Sequence, residues 1–220
     1  MIEAAKSLLL ILSALFPIVN PLGGSPVFFS LTPEYSAATR RALAAKVARN
    51  SFFLLIGSYL IGTHVLAFFG ISIPVVQVGG GLVVTTTGWA MLKRRDDEER
   101  KEVRSNAQPQ DPYRQAFYPF TLPLTVGPGS ISVAITLGAN AAHHPGLDII
   151  PLLAALAAAF LLAMSIYVCY GYSDRLAQVL GPSTMTVIMR LSSFLLVCIG
   201  VQILWNGVSA LLGSVQLHVR

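Results

Sequence analysis

The sequence predicts an all-α membrane protein of six transmembrane helices, arranged as two inverted three-helix repeats with broken first and fourth helices. The first observation is composition: 54% of the 220 residues are hydrophobic and 11% are charged, whereas roughly a quarter of the residues in soluble domains are charged. The second observation is six apolar runs that reach the length of about 20 residues that a bilayer requires. These runs lie near residues 7–31, 50–69, 74–92, 117–142, 149–172 and 187–211.

A proline pattern that occurs twice is the third observation. Each proline removes an amide donor and clashes with the carbonyl four residues earlier, so each set interrupts a membrane-spanning helix. Matching interruptions in the two halves of a chain are the best sequence indication of a transport site. The prolines are Pro17, Pro21 and Pro26, followed 102 positions later by Pro119, Pro123 and Pro128.

This duplication divides the chain into three parts. Residues 1–92 form the first three-helix repeat, residues 93–116 a charged cytoplasmic linker, and residues 117–220 the second three-helix repeat. A three-span unit reverses its direction through the membrane when it is repeated, so we expect the halves to be inverted relative to one another.

The Lys and Arg residues predict the orientation, because cytoplasmic loops carry an excess of them. Of these 15 residues, 13 fall on the side of the linker, and only Lys6 and Arg220 fall on the other side. Both termini are therefore predicted to lie outside the cytoplasm. Topology thus explains the net charge of +5, and the expected partner is membrane lipid rather than nucleic acid.

The first span contains the first break. Ser25 is a good N-cap and Pro26 a favoured first helical residue, so we expect the helix to resume there. Its unpaired amides and positive dipole end suit a carboxylate, while the Asn20 side chain and the freed carbonyls suit an ammonium group or a sodium ion. Alternatively, the prolines only bend the span, and neighbours or water satisfy the freed groups. The substrate contacts predicted here are Asn20, Pro21, Gly23, Gly24 and Ser25.

The second span follows a basic, Ala-rich helix start at residues 36–50, whose arginines we expect to meet lipid headgroups.

The third span carries Gly79, Gly80 and Gly81, each of which costs a helix about 1 kcal/mol relative to alanine. Two interpretations stay open for these glycines. Either they allow close packing against a broken helix, or they line a small-solute cavity and belong to the substrate site.

The fourth span contains the second break, where Gly127 and Pro128 repeat the pattern of a cap followed by a first helical residue. The fifth span is Ala-rich and is predicted to be scaffold or to face lipid. The sixth span follows a turn at residues 181–182. The substrate contacts predicted in the fourth span are Thr121, Thr125, Gly127 and Gly129.

Three polar residues are candidates for gating or coupling. An alignment of the third and sixth spans sets Gln77 opposite Arg190, and Asn206 follows further along the sixth span. Arg190 is equally consistent with a side chain that reaches from the start of its span to the membrane interface.

The positions of the acidic residues limit the mechanism. All 10 Asp and Glu residues lie at span ends or in loops, which leaves no deep proton relay and favours sodium coupling through neutral oxygens or uncoupled exchange. No grouping of His, Asp and Ser or Cys at matched depth indicates an enzyme, and no spacing indicates a metal site or a cofactor.

Three motifs resemble the MarC family of bacterial and archaeal inner-membrane proteins: residues 20–28, residues 123–130, and Gln202 followed by Asn206 and Gly207. The resemblance covers essentially the full chain. It implies six spans and a relation to amino-acid exporters of the LysE type, and some members of the family are classed as neutral amino-acid transporters. An arginine commonly precedes the glycines of the third span in this family, whereas this chain has Gln77 at that position. If the arginine matters in relatives, we expect the charge of the substrate or the coupling to differ in this chain.

Together these observations favour a secondary transporter, an exporter or an exchanger, that moves small neutral amino acids across the cytoplasmic membrane. Two alternatives stay open. One is a passive small-solute channel with the breaks as its constriction, and the other is a non-transporting membrane partner protein that acts through the linker at residues 93–116. The sequence also leaves open a homo-oligomer.

Overall fold

Helices make up all of the regular structure in the part of the chain that the structure describes. This computed structural model describes residues 2–93, 114–142 and 149–218. A 3₁₀ turn at Arg114–Ala116 and a π-helix at Phe117–Thr125 precede the fifth α-helix. The α-helices are α1 (Ile2–Val19), α2 (Pro21–Ser30), α3 (Ala37–Phe68), α4 (Ile73–Lys93), α5 (Pro128–Ala142), α6 (Ile149–Gly171) and α7 (Ser173–His218).

Five of the described segments are long and apolar enough to cross a membrane: Glu3–Ser30, Ala37–Phe68, Ile73–Lys93, Ile149–Gly171 and Ser183–Gly213. The π-helix and α5 make a sixth as a broken span or a re-entrant loop, because they meet at a bend of 66°. The predicted all-α membrane protein is therefore confirmed. The turn predicted before the sixth span is also present, since Gly181 interrupts α7 with a φ of 73°.

The helices α4 and α7 form the most extensive helix pair in the described structure. They run antiparallel, since Gly207 lies against Pro74 and Gly88 lies against Ser193. A Cβ atom added to Gly81 would lie 2.5 Å from the backbone nitrogen of Leu204. The two backbones therefore approach to a distance that only glycine allows, as is common between membrane helices.

Helix packing follows the same pattern in both halves of the chain. The second helices of the halves, α3 and α6, pack against each other, and so do the third helices, α4 and α7. The pair α1 and α2 packs against α6 and α7, just as the π-helix and α5 pack against α3 and α4. A duplication produces such a pattern, whereas the inverted relation of the halves stays a prediction.

The helix after the first break begins five residues earlier than predicted, with Asn20 rather than Ser25 as its N-cap. Asn20 adopts the left-handed conformation with a φ of 46°, and its side-chain oxygen accepts a hydrogen bond from the Gly23 amide at 3.1 Å. Pro21 then begins α2. Asparagine tolerates this conformation and caps helices well, so it ends α1 and starts α2 within one residue. Ser25 and Pro26 consequently lie inside α2.

The second break has a different shape although its prolines have the same spacing. Leu122 occupies the position that corresponds to Asn20, and it is extended, with φ −111° and ψ 127°. Leucine has no side-chain oxygen that can cap a helix, so Pro123 does not begin an α-helix and the π-helix continues to Thr125. The α-helix begins at Pro128, directly after Gly127, as predicted.

One arginine of the basic segment before the second span does not meet headgroups as predicted. The side chain of Arg40 is buried, and its guanidinium donates a hydrogen bond of 2.8 Å to the carbonyl of Thr32. It also lies 3.8 Å from the carboxylate of Asp174. Arg40 therefore ties the end of α2 to the starts of α3 and α7. Of the predicted linker at 93–116, residues 94–113 lie outside the described residues.

We expect Gly81→Ala to destabilise the pairing of α4 and α7 by about 1–3 kcal/mol, the range found for overpacking. The added methyl group would meet backbone atoms of α7, which cannot move away separately. Gly79→Ala is the matched control on the same helix, because nothing lies within 4 Å of its added Cβ atom. Thermal unfolding of the purified protein in detergent measures both variants, and equal Tm values would contradict the close packing.

Candidate functional site

A cavity of about 320 Å³ lies between helices of both halves and is partly open to the surface of the bundle. The first half contributes α1 and α4, and the second half contributes α5 and α7. The lining residues are Ser13, Ala14, Pro17, Ile18, Gln77, Val133, Thr136, Leu137, Ile199, Gln202, Ile203 and Asn206.

The polar groups of this cavity are amides and hydroxyls. Gln77 Nε2 donates a hydrogen bond to Thr136 Oγ1 at 3.4 Å, which joins α4 to α5 across the cavity wall. Gln202 Nε2 donates to Asn206 Oδ1 at 2.8 Å, since residues four apart lie on one face of a helix. Among the described residues that line the cavity, none carries a charge.

Amide groups give this cavity both donors and acceptors. Each Asn or Gln side chain has an NH₂ group that can bind a carboxylate and a carbonyl oxygen that can bind an ammonium group. The aliphatic side chains of Ile18, Val133 and Ile203 supply the apolar part of the lining. The arrangement suits a small solute with polar groups and no net charge, because an ion with net charge would lose its hydration without a compensating opposite charge.

The predicted gating residues are divided between the cavity and the surface of the bundle. Gln77 and Asn206 line the cavity. Arg190 does not line it and is exposed on α7, which fits the alternative of a side chain that reaches the membrane interface.

None of the predicted substrate contacts at the first break lines the cavity. A Cβ atom added to Gly23 would lie 2.6 Å from Ser192 Cβ on α7, and one added to Gly24 would meet the hydroxyl of Tyr170. The Ser25 hydroxyl donates a hydrogen bond of 2.8 Å to the carbonyl of Cys169. These residues therefore hold α2 against α6 and α7, and their contact with a substrate stays a prediction.

The predicted contacts at the second break also lie outside the cavity lining. Thr121 Oγ1 donates to the carbonyl of Ala116 at 2.7 Å, and Thr125 Oγ1 lies 2.7 Å from the carbonyl of Phe120. Both threonines are buried. Their hydroxyl groups satisfy the carbonyls of Ala116, directly before the π-helix, and of Phe120 inside it, and contact of these residues with a substrate stays a prediction.

The three glycines of the third span have different environments, and none of them lines the cavity. Gly80 packs against Ser132 and Gly129 of α5, and Gly81 packs against α7. Gly79 is exposed and faces open space. Gly80 and Gly81 therefore allow close packing of the helices, which is one of the two interpretations given for this segment.

A fully buried tyrosine on α6 connects the two breaks. The ring of Tyr170 stacks on Phe28 of α2 with the ring centroids 4.6 Å apart, and Phe28 contacts Phe120 of the π-helix edge-on at 5.1 Å. Tyr170 also shares a hydrogen bond of 3.1 Å with the hydroxyl of Thr125. Sequence analysis did not find Tyr170, since nothing in its apolar span distinguishes it from a residue that faces lipid.

Sequence analysis also missed Ser13 and Thr136 as site residues, and it quoted Gln202 only for a family resemblance. The available signal was a polar side chain inside an apolar span. This signal is weak for hydroxyl groups, because they can bond to their own helix, as Ser13 does with the carbonyl of Leu10 at 2.9 Å.

Comparison with known proteins gives one family. Residues 5–212 match the family described as "MarC family integral membrane protein". Among curated proteins, the chain is 30% identical over 213 residues to the inner membrane protein MarC of Escherichia coli and to that of Salmonella typhi. Each alignment covers 94% of this chain and 96% of the relative. No solved structure matches the chain.

We expect Tyr170→Phe to lower the free energy of unfolding by about 1 kcal/mol, the usual contribution of one buried hydrogen bond. The ring stacking stays intact while the hydroxyl of Thr125 loses one of its two partners and keeps the carbonyl of Phe120. Tyr167→Phe on the same helix is the control, because Tyr167 is only half-buried and contacts Tyr172 through its ring. Thermal unfolding in detergent measures the Tm of both variants. An equal decrease in Tm would argue against the connection between the breaks through the Tyr170 hydroxyl.

Proposed function

We propose that this chain, which belongs to the MarC family of integral membrane proteins, is a secondary transporter of small neutral amino acids. It is a multi-pass inner membrane protein. In this proposal it works as an exporter or an exchanger and has no enzymatic activity. The observation that carries the proposal is the uncharged, amide-lined cavity between the two halves.

The size and chemistry of the cavity support this class of substrate. Its volume of about 320 Å³ is at the lower end of the roughly 300–1,000 Å³ that ligand pockets occupy. A neutral amino acid carries one carboxylate and one ammonium group, which the amides of Gln77, Gln202 and Asn206 can bind without a charged partner. A small aliphatic side chain would contact the isoleucine and valine side chains of the wall.

The position of the cavity supports a carrier mechanism. Secondary transporters bind their substrates where two structural repeats meet, and a rocking movement of one repeat against the other exposes the site to each side in turn. Here the amides lie on α4 of the first half and α7 of the second half. Uncoupled exchange or sodium coupling through neutral oxygens accompanies this mechanism, because the described lining offers no carboxylate for a proton relay.

Counterflow in proteoliposomes tests the proposal. Vesicles that contain the protein are preloaded with neutral amino acids, and the uptake of labelled alanine, glycine and serine is followed with and without sodium. We expect saturable uptake that depends on the preloaded amino acid. Flux that rises linearly with concentration and needs no preloaded solute would favour the channel alternative, and the absence of any flux would contradict both.

In the same assay we expect Gln77→Met to raise KM about tenfold, because the loss of one hydrogen bond in a buried site costs roughly 1–3 kcal/mol. Methionine keeps the length of the side chain and removes only the amide. Gln178→Met on the exposed surface of α7 is the matched control. Equal KM values in the two variants would place the substrate outside this cavity.

A variant at the first break separates the two possible locations of the site. Glycine adopts the left-handed conformation of Asn20 without strain, so Asn20→Gly removes the side chain at a cost of a few tenths of a kcal/mol. We expect an unchanged KM in counterflow if the amides of the cavity bind the substrate. An increase in KM of tenfold or more, with normal insertion, would assign the substrate to the break instead.

A further inference from the structure

A cluster of basic and aromatic side chains lies outside the cavity, where α6 ends and α3 and α7 begin. The cluster consists of Arg41, Tyr172, Ser173 and Arg175. The guanidinium carbon of Arg41 lies 5.0 Å from the centroid of the Tyr172 ring, and that of Arg175 lies 5.6 Å from the same centroid. Two cationic groups therefore share one aromatic ring.

No ion pair within the described residues joins a carboxylate to Arg41 or Arg175. Asp174 pairs with Arg40 instead, and the side chain of Arg40 is buried and also bonded to Thr32. Near these residues, Arg41 Nε, the hydroxyl of Ser173 and one carboxylate oxygen of Asp174 are buried and have no hydrogen-bond partner in the described structure. Arg41 and the hydroxyl of Ser173 thus each have a donor that no described acceptor uses, beside the exposed charge of Arg175, and an anionic group with several acceptor oxygens would satisfy all of them.

The position of the cluster indicates the source of that anion. Tyr172 directly follows the membrane span that ends at Gly171, and Arg41 lies in the first two turns of α3. Arg175 is exposed and precedes the interruption of α7 at Gly181. Residues at the ends of spans lie at the depth of lipid headgroups, where tyrosine is enriched and where basic side chains attract anionic lipids.

We propose that Arg41, Arg175 and the hydroxyl of Ser173 bind the phosphate group of an anionic phospholipid against the ring of Tyr172. Guanidinium groups suit this role because their planar donors bind phosphate oxygens in pairs. The neighbouring Arg40 does not take part, since its guanidinium is already paired inside the protein. This site is independent of the transport proposal, because none of its residues lines the cavity.

Lipid binding to the full chain tests the proposal. The purified protein is titrated with phosphatidylglycerol or phosphatidylcholine, and bound lipids are counted by native mass spectrometry. We expect retention of phosphatidylglycerol in preference to phosphatidylcholine, and a loss of affinity of about tenfold or more in the double variant Arg41→Gln with Arg175→Gln. The control is Arg49→Gln with Arg190→Gln, which removes two charges from exposed arginines elsewhere and is expected to keep the preference.

Three results would overturn the proposal. Equal losses in the two double variants would mean that lipid binding follows only the total charge. If inorganic phosphate, added to the protein in phosphatidylcholine, stabilises the protein as much as phosphatidylglycerol does, the site binds a free anion rather than a lipid. Unchanged affinity in Arg41→Lys with Arg175→Lys, which keeps both charges and replaces the planar donors, would exclude the paired geometry, and this variant also serves if the glutamine variant does not fold.

Discussion

The structure depends on one constraint: inside a membrane, every backbone polar group must find its partner within the protein. The two breaks meet this constraint with nearby side chains. Asn20 caps the amide of Gly23 at the first break, and the hydroxyls of Thr121 and Thr125 lie within hydrogen-bond distance of the Ala116 and Phe120 carbonyls at the second. The side-chain oxygens at the breaks are therefore largely used to stabilise the interrupted helices.

The breaks are also joined to each other. Tyr170 stacks on Phe28 of α2 and shares a hydrogen bond with Thr125 of the π-helix. This contact between the halves is apolar except for one pair of hydroxyls, so it resembles a packed core more than a binding pocket. The amides of Gln77 and Asn206, in contrast, face a cavity of about 320 Å³, where they remain accessible to a solute.

Charge is distributed unevenly between the described parts of the molecule. The lining of the cavity is neutral, whereas the starts of α3 and α7 hold an ion pair between the buried Arg40 and the partly buried Asp174. Beside this pair, Arg41 and Arg175 share the ring of Tyr172. Such a division agrees with the proposed substrate of no net charge in the cavity and the proposed lipid site at the edge, since charges are tolerated at the interface and are costly at depth.

The sequence by itself determined the membrane class, five of the six predicted spans, the start of α5 at Pro128 and the family, because these follow from composition and from local backbone rules. It did not determine which polar side chains face the cavity. Adjacent residues of a helix point about 100° apart, so Gly79 faces open space while Gly81 contacts α7. Ser13 and Thr136, distant in the chain, meet at one cavity, and only the packing of the helices against one another decides such convergence.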